Sequence, residues 1–344
     1  MTEAETGRWT RPRAVARIAV QLAVIALAVH LVLPQLAGLQ ATGRALARAT
    51  WWVPLLVLVL EAASLLAYAE LLKVVLASMG QPAPRGLLQR ATVAGLSLGR
   101  TLPGGNATAL AMTVSSLRAA GLDGTRVTAG LAVGGALSSV VLAVLLPAAA
   151  LLSLTGGHGG GIAFGAAGMA AVVVAAAALA RPAVRRADTA GRLAARAARV
   201  VLRGPLRARV DPEAVGARVR RALEGVDRLA RDRRALALAG GWAAANWLLD
   251  IAALTVVALT VGRGVPLVTL PLAYILAQWV AAIPLTPGGV GVVEAAMTAT
   301  LVASGAPGGA ATATVLGWRL VSHWLPILIG LALLPTLRHT RARS

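Results

Sequence analysis

The amino-acid sequence predicts an all-α polytopic membrane protein, with six full spans and two re-entrant helical hairpins arranged as inverted repeats. Three observations predict it. Of the 344 residues, 58% are hydrophobic and 13% charged, against about 45–50% and about 25% in a soluble chain, so hydrocarbon must be the solvent for much of the surface. Between Arg126 and Arg181 no Asp, Glu, Lys or Arg occurs over 54 residues, enough for two crossings of a core that takes about 20 residues each. Two further apolar segments are interrupted by the same triplet, Pro103-Gly104-Gly105 and Pro287-Gly288-Gly289. A helix does not continue through such a break, and broken backbone at membrane depth survives only inside protein or along a wet cavity.

The N-terminal residues 1–17 carry Arg8, Arg11, Arg13 and Arg17 and are placed in the cytoplasm. The uncharged run from Ile18 to Gly43 is longer than a signal-peptide core and lacks a small-residue cleavage site, so residues 18–34 are expected to stay as the first span. Trp51 and Trp52 open the second span, 51–77, as interfacial anchors, and Glu70 and Lys73 near its end are spaced for a local ion pair. The first hairpin occupies 86–119. Spans three and four, 127–154 and 161–180, complete a first membrane half over 18–180.

Residues 181–234 hold 16 Arg against 6 acidic residues. Arg192, Arg196 and Arg199 share a helix face, and Asp211-Pro212-Glu213 reads as the cap of a second helix. The segment is expected to be a cytoplasmic, amphipathic linker lying on anionic headgroups. The second membrane half, 235–337, comprises the fifth span at 235–261, the second hairpin at 266–304 and the sixth span at 309–337, followed by the cytoplasmic tail 338–344. With hairpins that return to the side they entered from, every strongly basic segment falls on the cytoplasmic face of the inner membrane. Two full crossings per hairpin would give the same sidedness.

The net charge of +20 would suggest nucleic-acid binding in a soluble chain, but the basic residues lie between apolar spans, so no nucleic-acid partner is expected. No Cys is present, which excludes disulfides, thiolate metal sites and a Cys nucleophile. The four His (His30, His158, His323, His339) are too scattered to suggest zinc. No metal or cofactor is expected.

The two broken segments resemble one another. A gapless alignment of 103–121 with 287–305 pairs Pro103 with Pro287, Gly104 and Gly105 with Gly288 and Gly289, Ala111 with Ala295, Leu117 with Leu301, Ala119 with Ala303 and Gly121 with Gly305. One hairpin enters from inside and the other from outside, so the repeats would be inverted, an architecture of transporters with a site near the midplane.

The run Pro284-Leu-Thr-Pro-Gly-Gly-Val-Gly-Val-Val-Glu294, followed by Gly305, Gly317-Trp318-Arg319 and Trp324, resembles the C-terminal motif of the flippase-like lysylphosphatidylglycerol synthase transmembrane-region family. The resemblance runs over most of the chain from the first span; Leu102 to Gly105, Leu117-Arg118 and Gly121 match the family's first half more loosely. It implies a membrane domain related to the lipid-translocating part of multiple-peptide-resistance factors and to proteins proposed to assist lipid-linked glycan pathways. This chain departs from the pattern in its first half. Asn106, Ala107 and Thr108 stand where the family has a Gly and Glu, and Gly134-Gly135 replaces an acidic-basic pair. No aminoacyl-transfer domain follows before Ser344, so synthesis of aminoacylated lipid is not expected, nor is any enzyme activity.

The expected function is movement of a polar or anionic phospholipid, or a lipid-linked precursor, between leaflets. The alternatives are a non-transporting scaffold for a lipid or glycan enzyme and an ion-coupled solute carrier. Expected partners are membrane lipids, with a membrane enzyme or a second copy as further candidates. For the lipid path the candidates are Arg100, Pro103, Gly104, Gly105, Asn106, Pro287, Gly288, Gly289, Glu294 and Arg319. Glu294 and Arg319 are expected to pair, because intramembrane charges face inward and find partners; half-helix N-termini at Gly105 and Gly289 could meet a phosphate; and Arg100 is the cation best placed for one. Glu61 and Asp250, with Asn246 one turn earlier on the same face, are expected as supporting polar contacts between helices.

Overall fold

The computed structural model describes residues 52–101, 105–156, 186–201, 211–282 and 286–341, together with Gly168 and Ala171. The expected spans 18–34 and 161–180, the N-terminal residues 1–17 and Trp51, Pro103 and Gly104 lie outside the described residues. Among the described residues the secondary structure is helical, without strands.

The first half runs α1 (Trp52–Ser78), α2 (Arg85–Thr101), α3 (Gly105–Ala119) and α4 (Gly124–Thr155). Between the halves come α5 (Ala187–Val201) and α6 (Pro212–Arg231). The second half runs α7 (Arg233–Val261), α8 (Leu270–Ala281), α9 (Val292–Ala303), α10 (Gly308–Ser322) and α11 (Trp324–Arg341). Helices α1, α4 and α7 and the stretch Gly308–Leu337 are each long and apolar enough to cross a membrane. Their outer surfaces are apolar: Leu55, Val59, Val144, Leu151, Leu259 and Leu328 are all more than half exposed, whereas Glu61, Glu70 and Glu294 are buried. Charge inside and leucine outside is the arrangement hydrocarbon demands, and the chain is a multi-pass membrane protein.

Both interrupted segments fold as helix, break, helix. In the first, α2 packs on α3; in the second, α8 packs on α9. The first pair approaches closely because α2 presents Gly95 and Gly99 one turn apart: a Cβ on Gly95 would stand 2.7 Å from the Ala109 carbonyl oxygen, and one on Gly99 would stand 2.8 Å from that of Gly105. Small residues one turn apart let two backbones meet in this way. The two ends of this hairpin lie near one another, since Gln81 after α1 accepts a hydrogen bond from the Asp123 N–H before α4 (3.0 Å). Asp123 then caps α4, accepting from the N–H groups of Thr125 (2.7 Å) and Arg126 (3.1 Å). The backbone donors of Arg126 and Thr125 hold its carboxyl below the ordinary carboxylate range.

The two aligned segments also end alike in the backbone. Helices α3 and α9 end in the same Schellman turn: Leu122 N–H to Leu117 and Gly121 N–H to Arg118 in the first, Ala306 N–H to Leu301 and Gly305 N–H to Val302 in the second. Gly121 (φ 87°) and Gly305 (φ 92°) occupy the left-handed position that closes it. Leu117 and Leu301 are fully buried beneath these turns. The same gapless register pairs Gly124 with Gly308, the first residues of α4 and α10.

One span differs from its expectation. The segment 309–337 is divided at His323 into α10 and α11. Pro326 is the cause: it has no N–H and its ring excludes the carbonyl four residues back, that of Ser322. Helix α11 is held against α2 by Gly330, where a Cβ would lie 2.7 Å from the Val93 carbonyl oxygen, and by Ser97 Oγ donating to the Ile327 carbonyl (3.0 Å).

The basic segment forms an antiparallel pair. Gly191 and Gly216 allow close approach of α5 and α6, and ion pairs join Arg220 to Asp188 (3.6 Å) and Arg199 to Glu213. Asp211 caps α6 through the Glu213 N–H (2.9 Å), with Pro212 in the first turn. Leu229 of α6 joins Leu71 and Val75 of α1, and Met79 just after it, in one buried cluster. Glu70 meets Lys73 (3.4 Å) and also Arg85 (2.5 Å) and Gln89 (3.2 Å), tying the end of α1 to the start of α2.

Candidate functional site

The breaks of the two hairpins converge. Around Pro287–Gly289 the chain makes a single 3-10 turn, and Gly288 (φ 62°) lies so close to α2 that a Cβ there would be 3.0 Å from the Arg100 carbonyl oxygen and 2.7 Å from the His323 ring. The Arg100 guanidinium extends to the divided last span and donates from one nitrogen to the carbonyls of Ser322 (2.5 Å) and His323 (3.4 Å). The carbonyl that Pro326 leaves without its helical donor is therefore taken by Arg100.

Beside this junction Glu294 and Arg319 form the expected pair. Arg319 Nε donates to Glu294 Oε1 at 2.7 Å, and both side chains are about nine-tenths buried. A second guanidinium nitrogen reaches the Gly288 carbonyl (3.3 Å). The other carboxylate oxygen of Glu294 accepts the Gly291 N–H at 2.7 Å. This corrects one expectation: α9 starts beyond Gly289, and its N-terminus is already met by the carboxylate of Glu294, so it does not offer a free anion site there.

A second polar cluster joins α1, α7, α8 and α10. The indole N–H of Trp318 is shared between Glu61 Oε1 (3.0 Å) and Asp250 Oδ1 (2.8 Å), while the Tyr274 hydroxyl donates to Asp250 Oδ2 (2.6 Å). The carboxyl groups of Glu61 and Asp250 thus converge on a single N–H donor. Tyr274 stacks edge-on against Trp247 and Trp318, with centroids 6.2 and 5.6 Å apart. One turn away Ser64 Oγ donates to the Asn246 carbonyl (3.0 Å), and the Asn246 amide returns bonds to the Ser64 carbonyl (3.1 Å) and hydroxyl (2.8 Å). Glu61 thus faces Asp250 while Ser64 faces Asn246, so α1 and α7 run antiparallel.

Arg100 and the second cluster's Glu61, Ser64, Asn246 and Asp250 line a cavity of about 530 Å³. Its lining is mixed, with Glu61, Asp250, Asn246, Gln278 and Arg100 among the polar residues and Leu65, Leu72, Leu96 and Leu131 among the aliphatic ones. The repeat explains why space exists here. In the gapless register Leu110 stands where the other half has Glu294, and Gly135 where it has Arg319; both line the cavity. The ion pair that fills the interface between hairpin and following helix in the second half is missing from the first. Thr92 and Ser138, lining the same space, have buried hydroxyls with no partner among the described residues.

Of the residues expected from sequence, Arg100, Glu61, Asn246 and Asp250 share this cavity, while Gly288, Gly289, Glu294 and Arg319 form its neighbour at the second break. Gly105 begins α3 at the first break; Pro103 and Gly104, and the side chains of Asn106 and Pro287, lie outside what is described. Trp318, Tyr274, Gln278 and Ser64 were not singled out. Trp318 belongs to the sequence Gly317-Trp318-Arg319, and Tyr274 and Gln278 are polar groups one turn apart in an apolar helix, which is their signal in the sequence. Among the described residues no three His, Cys, Asp or Glu cluster to hold a metal ion.

A family model described as the lysylphosphatidylglycerol synthase TM region matches residues 18–330, and the chain belongs to that family. No curated protein matches it.

Proposed function

We propose, from its membership of the lysylphosphatidylglycerol synthase TM-region family, that this protein moves a lipid with a polar or anionic headgroup between the leaflets of the cell membrane, without chemically altering it. The observation that carries this reading is the mixed lining of the cavity. Arg100, Asn246 and Gln278 offer one cation and two amides to a headgroup, while the leucines suit the acyl chains attached to it. A small hydrophilic solute would have no use for those leucines, which disfavours a solute carrier.

In the same proposal both hairpins are re-entrant. Helices α2 and α3 have 17 and 15 residues and α8 and α9 have 12 each; at about 1.5 Å per residue none covers a core of about 30 Å. The tips would then meet near mid-bilayer, where a headgroup must pass, and both termini would be cytoplasmic.

The test is purified protein in liposomes containing phospholipids labelled on the headgroup, followed with an impermeant quencher. Anionic label in the inner leaflet should become accessible far faster than in protein-free vesicles, and Arg100→Gln should slow it. Rates equal to protein-free vesicles for every headgroup tried would overturn the proposal and favour a scaffold.

A further inference from the structure

We propose that Glu61 and Asp250 together hold one transferable proton at the cavity wall, so that the cavity carries a proton as well as its cargo. Two carboxylates that converge on one N–H donor away from bulk water resist being charged together unless cations or several donors compensate them. Here the compensation is small. Trp318 supplies one N–H to both, Tyr274 supplies one O–H to Asp250, and no ion pair reaches either carboxylate among the described residues. Among the described residues the second oxygen of Glu61 accepts no hydrogen bond from a side chain or backbone donor. Glu61 is 3% exposed and Trp318 1%, whereas Asp250 is only partly buried and lines the cavity, the side from which a proton can come and go.

The other charged or titratable groups around the pair do not change this. Arg100 of α2 lines the same cavity, with one nitrogen held by the Ser322 and His323 carbonyls; its single positive charge makes no ion pair with either carboxylate and can offset only one of the two negative charges. Arg319 of α10 is engaged by Glu294 of α9, and His323 packs on Gly288 and Trp324. Tyr68 of α1 lines the cavity and Tyr274 of α8 is already a donor.

An independent observation shows that the cavity is equipped for a protic ligand. Thr92 and Ser138 line it at 3% and 4% exposure, each with a hydroxyl that finds no partner among the described residues. A hydroxyl can both accept and donate, as a relay requires. On loading, one carboxyl O–H bond forms and the pair becomes a monoanion; on release that bond breaks and the proton leaves to water in the cavity, with no redox step.

The proton site stands on geometry, whereas its coupling to lipid movement rests on the proposed function, and two readouts separate them. Infrared difference spectra of the full-length protein in liposomes, stepped from mildly acidic to mildly alkaline buffer, should show a carboxylic-acid band that is lost in both Glu61→Gln and Asp250→Asn. These replacements keep shape, and melting curves taken in parallel establish that each variant is folded. A band absent from the wild type, or unchanged in a folded variant, would overturn the proton site whatever the lipid assay gives. In the second readout, an imposed pH gradient should bias headgroup accessibility in the wild type, and the bias should vanish in either variant. If labelled lipids move but ignore the gradient, the proposed coupling fails; if no lipid moves, the function proposed above fails and the infrared result decides the proton site alone.

Discussion

Glu294 divides its two carboxylate oxygens between two tasks, capping α9 through the Gly291 N–H and holding the Arg319 guanidinium. The tasks separate by mutation. Glu294→Gln keeps an acceptor for the cap and removes the charge, whereas Glu294→Ala removes both and should cost about 1 kcal/mol more, the usual worth of a cap. Leaving either charge buried without its partner typically costs about 3–5 kcal/mol, so Glu294→Gln and Arg319→Met should each destabilise strongly while the double variant recovers part of the loss. Unfolding of all three in detergent completes the cycle; strictly additive losses would contradict a coupled pair. This contact was legible in the sequence because two lone intramembrane charges must find each other. The convergence of Glu61 and Asp250 was legible only as two separate polar residues, since like charges give no reason to expect it until Trp318 is seen to bridge them.

At the level of elements, the separation of Thr101 from Gly105 and of Ala281 from Val292 into different helices was legible because proline and glycine act locally, as was the cap at Asp211. The division of the last span was missed, although Pro326 was in plain view, because the surrounding residues are uniformly apolar and the hydropathy signal does not drop. What makes the break tolerable is remote in sequence: Arg100 supplies the donor that Ser322 lacks. A hydrogen bond to a charged group is worth about 1.5–3 kcal/mol, so Arg100→Met should lower stability by that order. Pro326→Ala returns an N–H to the helix and should therefore lessen the cost of Arg100→Met when the two are combined. Thermal unfolding of the two single variants and the double variant checks this, and an equal cost in both backgrounds would mean that Arg100 stabilises the fold by another route.

Across the whole molecule, charge is gathered inward and apolar surface turned outward, and the two halves share a register while differing in what fills it. The sequence could show the shared register but not its consequence, because the cavity arises from side chains that are missing, Leu110 and Gly135 in place of an ion pair, and a void has no sequence signature until the helices are packed. The antiparallel crossing of α1 and α7, fixed by Glu61 with Asp250 and Ser64 with Asn246, is what inversion of the repeats requires, since equivalent helices must then cross the membrane in opposite directions. Inversion makes a sided prediction. Arg126 and Gly309 are exposed near the starts of α4 and α10, the equivalent helices of the two halves, and Gly309 has open space where a side chain would go. With no native Cys in the chain, Arg126→Cys and Gly309→Cys report alone. An impermeant thiol reagent added to intact cells should label Gly309→Cys, and should reach Arg126→Cys only after the membrane is opened. Thr101→Cys, at the tip of the first hairpin, should resist the reagent from either face if that hairpin stops near mid-bilayer. Labelling of Arg126→Cys and Gly309→Cys from the same side would exclude inverted halves, and ready labelling of Thr101→Cys from the face opposite Arg126→Cys would make α2 and α3 full crossings.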